Sequence, residues 1–103
     1  MMDENQYIYQ LRPNRLQMLI GGRTSEEEDL IAQHFDYLKA LMVLGIVMLA
    51  GRTMTADKHA FGIVIFRANS EEEARGIMEK DPVVQHRVMR AELYPFRVAL
   101  IGA

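Results

Sequence analysis

Two residues have side chains suited to proton transfer, and a small fold could bring them together: His34 and Asp81. Imidazole gains and loses a proton near neutral pH. A carboxylate bonded to one ring nitrogen fixes the tautomer and raises the basicity of the other. As a pair, the two would form a general base and its orienter. Each also has a purely structural reading. His34 lies four residues after Leu30 and four before Leu38, inside an apolar stripe, where a histidine can be a satisfied core residue. Asp81 precedes Pro82 and can cap the turn that this proline starts. Tyr9 and Arg52 are candidates for holding an anionic substrate at the same cleft. Their structural counterparts are a packed tyrosine and a solvated arginine. His59 and His86 fall in loops with no ligand-like spacing, so no zinc site is expected. No cofactor is expected either, since glycine-rich phosphate loops and a nucleophile elbow are absent.

Composition narrows the classes. At 103 residues the chain is read as one domain, 1–103, with a flexible start over 1–5. Half of its residues are apolar, so it can build a core and is not a disordered chain. A net charge of -2 argues against a nucleic-acid partner gripped through a basic surface. With no cysteine there is neither a disulfide framework nor a thiolate nucleophile, which fits a cytoplasmic protein. The acidic N-terminus does not look like a signal peptide. The longest apolar run, Ala40 to Ala50, falls short of the roughly 20 residues a membrane span needs, so no membrane partner is expected.

The elements that must position His34 and Asp81 follow from pattern. Tyr7 to Leu11 reads as a strand, interrupted or ended by Pro13. Leu16 to Ile20 is a possible continuation, and Gly21-Gly22 is a turn signal. A helix starts near Ser25, with either Ser25/Glu28 or Thr24/Glu27 at capping-box spacing. Glu26 to Asp29 reads as a solvated first turn matched to the helix dipole. Leu30, Ile31, His34, Phe35, Leu38, Leu41 and Met42 form the inward stripe, and Gly45 stops the helix. Ile46 to Ala50 is a second strand ended by Gly51, followed by a polar loop from Arg52 to His59. Phe61 to Phe66 is a third strand. Ser70 with Glu73 opens a second helix, Glu71 to Lys80. A short turn covers Val83 to His86, and Met89 to Leu93 alternates as a last strand. Pro95 confines that strand to an edge. Phe96 to Ile101 is expected to extend it or to swap onto a partner. The order βαββαβ predicts an α+β, ferredoxin-like fold, a four-stranded antiparallel sheet with two helices on one face.

Strands two and three are apolar at nearly every position, as strands covered on both faces are. The chain's own helices cover one face. The expectation is therefore a homodimer through the other, a dimeric α+β barrel, with higher assembly open.

The ordered set Gln33-His34, Tyr37-Leu38, Leu49-Ala50-Gly51, Phe61 to Phe66, Ser70-Glu71-Glu72-Glu73-Ala74, Asp81-Pro82-Val83-Val84 and Glu92-Leu93-Tyr94-Pro95-Phe96 resembles the YciI-like (YCII-related) family over roughly residues 6–100. The resemblance implies the dimeric ferredoxin-like barrel. It also implies that the family's active-site His and Asp correspond to His34 and Asp81. The family is similar in fold to muconolactone isomerase, and one branch includes a dehydrochlorinase of a chlorinated hydroxyquinol. Most members have no assigned reaction. The segment from Arg12 to Gly22 is longer here than in the shortest members, which bears on substrate identity.

The leading expectation is an isomerase or lyase acting on a cyclic or carbonyl-bearing small molecule. The alternative is a non-catalytic ligand-binding or accessory protein with a structural His/Asp pair. A heme- or oxygen-dependent monooxygenase is supported by fold analogy alone.

Overall fold

Alternation along the first strand sets the inside of the molecule. In the computed structural model, which describes residues 5–102, β1 (Gln6–Pro13) buries Tyr7, Tyr9, Leu11 and Pro13 and leaves the intervening residues half-buried. It is a central strand, paired antiparallel to both β3 (Gly62–Arg67) and β4 (Met89–Phe96). β2 (Val47–Arg52) pairs with β3 at the far edge, giving the order β2-β3-β1-β4. Helices α1 (Ser25–Val43), α2 (Glu71–Glu79) and α3 (Pro82–Gln85) complete the chain. This is the expected βαββαβ arrangement with one short added helix.

The buried row of β1 meets Val64 and Phe66 of β3 and Val47 of β2. Leu30 and Leu38 of α1, Ala74 and Met78 of α2 and Val83 of α3 close over it. On the opposite face the register aligns Ile8 with Ile65 and Tyr94, and Leu49 with Ile65. Leu49, Tyr94 and Phe96 are exposed there.

α1 begins where the two capping boxes competed. Thr24 prevails: its hydroxyl accepts from the Glu27 amide and the Glu27 carboxylate accepts from the Thr24 amide. The helix ends in a Schellman motif, with Gly45 at φ 78° and the Ile46 amide reaching back to the Leu41 carbonyl.

Several expectations are corrected. Leu16–Ile20 is a 3-10 turn, not strand, and buries Met18 in the core. β2 runs through Gly51 to Arg52, with a bulge between Val47 and Leu49. Phe35 and Met42 lie at the exposed edge of the α1 stripe. β4 continues through Pro95, which an edge strand tolerates because one side of its backbone needs no partner. Beyond Phe96 the chain leaves the sheet, with the Val98 amide donating to the Gln6 side chain. Residues 1–4 of the expected flexible start fall outside the described residues.

The acidic first turn of α1 is only partly solvated. Glu27 is buried, and the Arg15 guanidinium grips it through two bonds of 2.9 and 3.0 Å. Those bonds, with the Thr24 amide, hold its carboxyl down at about 2, against an ordinary 4.5. A depressed carboxylate stabilises the fold fully above its unfolded value and loses that contribution as pH falls through its folded value. Glu27→Gln is therefore expected to destabilise at about pH 6 and to converge on the parent as pH falls through about 2. Urea unfolding across that window checks it; a deficit independent of pH would contradict it.

Candidate active site

Helical spacing from Leu30 to Leu38 points His34 at the sheet, and its side chain is buried there. Asp81 follows α2 and is the N-cap of α3, its Oδ1 accepting from the Val83 amide at 3.2 Å. Capping fixes the carboxyl beneath α1. His34 Nδ1 lies 2.8 and 2.7 Å from its two oxygens. The Tyr9 hydroxyl, rising from the buried row of β1, donates to Oδ2 at 2.7 Å.

Asp81 is wholly buried. The Tyr9 hydroxyl and the Val83 amide both donate to it, so the carboxyl faces His34 as an acceptor, which assigns the ring proton to Nδ1. In the neutral ring this tautomer presents a lone pair at Nε2. Burial, then the charge and hydrogen bond of Asp81, push the Tyr9 hydroxyl far above its ordinary value, so Tyr9 stays a donor. Tyr37, one turn after His34, donates to the Ile77 carbonyl at 2.6 Å and ties α1 to α2. Burial and the nearby Asp81 raise it to about 12.

His34 opens onto a cavity of about 290 Å³ between α1 and the β2 end of the sheet. Its walls are largely apolar, among them Leu11, Ile31, Phe35, Phe61 and Met89. The 3-10 turn contributes Leu19. Two guanidiniums line it, Arg52 at the end of β2 and Arg23 just before α1. Among the described residues no three His, Asp or Glu side chains group as a metal would require.

The expected residues are thus partly assembled. His34 and Asp81 are in direct contact, and His34 shares the cavity with Arg52. Tyr9 stands apart from the cavity lining: it is fully buried, edge-on to Phe66 at 5.6 Å, with its hydroxyl committed to Asp81. Alternation along β1, which puts Tyr9 on the helix-facing row, carried the signal for that contact. Arg23 escaped notice because nothing in the local sequence ties the loop before α1 to the end of β2.

A match to the YCII-related domain spans residues 7–97. The chain belongs to this family. Curated proteins give no match. Among solved structures, the chain is similar to 5-chloro-2-hydroxyhydroquinone dehydrochlorinase from Burkholderia phenoliruptrix, in complex with 2,5-dihydroxybenzoquinone. The TM-score is 0.62 at 22% identity, covering 90% of this chain and 93% of that one. At that identity the likeness is one of fold. It agrees with the antiparallel four-stranded sheet and its helices described above. No helix among the described residues is long and apolar enough to cross a membrane.

Proposed function

We propose that this YCII-related protein is a small-molecule lyase or isomerase that moves a proton on a carbon beside a carbonyl, with His34 as the base and Asp81 as its positioning partner. One observation carries the reading: His34 borders an apolar cavity while its Nδ1 is locked onto a wholly buried carboxylate. Nε2 takes the proton, the C–H electron pair enters the carbonyl as an enolate, and the imidazolium is stabilised by Asp81. In isomerisation the proton returns to a different carbon. In elimination the enolate expels a leaving group with its bonding electrons, and the imidazolium gives its proton to the departing group or to water at the cavity mouth. The dehydrochlorinase neighbour is a precedent for elimination on this fold, and its ligand is a single ring. Apolar walls exclude water that would otherwise quench the enolate.

The test is deuterium uptake. A panel of enolisable one-ring ketones and lactones is incubated with the protein in D2O and followed by NMR. At least one is expected to exchange its α-proton faster than with His34→Ala. No compound doing so would overturn the reading.

A second reading rests on Asp81 capping α3. The same carboxylate that meets His34 also starts a helix, as a structural pair would. The protein would then bind a ligand without turnover, and His34→Ala would leave every rate unchanged.

The open face of the sheet supports a second copy of the chain as partner, since Leu49, Tyr94 and Phe96 lie exposed beside Ile8 and Ile65. The protein is expected to sediment as a dimer at micromolar concentration. Leu49→Lys with Phe96→Lys, at positions exposed in the single chain, is expected to give folded monomers. A compact monomer from the parent would exclude the dimeric barrel.

A further inference from the structure

We propose that the cavity takes a one-ring ligand bearing a single carboxylate, and that Arg23 and Arg52 hold that group. This rests on the cavity being the substrate site, and it adds the class of molecule. Among the described residues, every formally charged side chain on the lining is a guanidinium, and no acid lines it. Neither arginine has an ion-pair or hydrogen-bond partner among those residues. Glu27, four residues after Arg23 in the chain, is held by Arg15 instead.

Both arginines are exposed, so they stand at the mouth while the apolar walls and His34 lie deeper. A ligand matching this arrangement has an apolar body and one charged end. Volume sets its size: a cavity of about 150 Å³ holds benzene, so about 290 Å³ suits a ring with a substituent or two. A planar carboxylate matches the donor fork of a guanidinium, which binds it through two parallel bonds. A second anionic group on the ligand would fall among apolar walls without a counter-charge, which is costly. The buried Asp81 lies behind His34, its charge already met by three donors, so it does not cancel the positive mouth.

The experiment is an NMR titration of the isotope-labelled protein with benzoate and with neutral benzamide. Benzoate is expected to bind saturably and shift the signals of His34 and the cavity walls. Benzamide is expected to bind about tenfold or more weakly, as the loss of one charged hydrogen-bonded contact implies. Arg23→Ala and Arg52→Ala should each weaken benzoate by about the same factor, and added salt should weaken it in the parent. Overturning results are equal binding of benzoate and benzamide, undiminished benzoate binding by the double arginine variant, or no saturable binding. His34→Ala is titrated alongside. Retained benzoate binding there, together with undiminished proton exchange, would sink the His34 base and leave the carboxylate site standing.

Discussion

Asp81→Ala is expected to lower the free energy of unfolding by about 3–5 kcal/mol, because it leaves three buried donors without their acceptor and removes a helix cap. The carboxylate is wholly buried and accepts from the Tyr9 hydroxyl, His34 Nδ1 and the Val83 amide. Alanine strands all three donors away from water, at about 1–3 kcal/mol for each one left unmade. It also removes the α3 cap, worth about 1 kcal/mol. These losses share one site and do not add fully. A domain of this size has about 5–15 kcal/mol in total, so the variant stands close to unfolding. Asp81→Asn separates the roles. Its amide keeps the shape and can still accept from Tyr9, so the stability loss is smaller. Its NH2 would donate to Nδ1, however, driving the ring proton to Nε2 and removing the lone pair that faces the cavity. Tyr9→Phe removes one donor to a carboxylate that keeps its others, and about 1.5–3 kcal/mol is expected. Urea denaturation midpoints for the three variants check the order. An Asp81→Ala protein within 1 kcal/mol of the parent would contradict the assignment of Asp81 as the hub.

The frame of the site was legible because it is local. His34 follows from the three-and-four spacing of α1, and Asp81 from the cap that Pro82 demands. Both signals lie within a few residues. The fold class followed from the sequence of element types, since βαββαβ chains have few ways to close a sheet. What escaped depends on contacts between distant segments. Leu16–Ile20 is apolar enough for a strand, but Met18 finds its burial by turning into the core. Gly51 looks like a stop, yet β3 pairs beyond it as far as Arg52. That extension carries Arg52 to the cavity on a strand instead of in a loop. Glu27 shares its composition with Glu26 and Glu28. The Thr24 cap and Arg15, twelve residues earlier, distinguish it. Tyr9 reads in the sequence either as a substrate contact or as a packed tyrosine; the alternation that places it inside also puts it on the row beneath Asp81.

His34→Ala is expected to slow α-proton exchange by about 10²–10⁴-fold, the range a positioned general base supplies. That is about 3–5 kcal/mol of barrier. The effect is separable from damage to the fold. Without the imidazole, Asp81 keeps the Tyr9 hydroxyl and the Val83 amide, so the buried carboxylate is still hydrogen-bonded. The variant should also leave a space beside Asp81, shaped for the ring that was removed and continuous with the cavity. Free imidazole is expected to enter that space, donate to Asp81 and restore part of the exchange in proportion to its concentration. A purely structural histidine predicts a different result. Imidazole would then raise stability without changing any rate, because no proton would need to move. Rescue of exchange by imidazole in His34→Ala, with none in the parent, is therefore the outcome that the His34 base requires. Equal exchange by parent and variant would remove it.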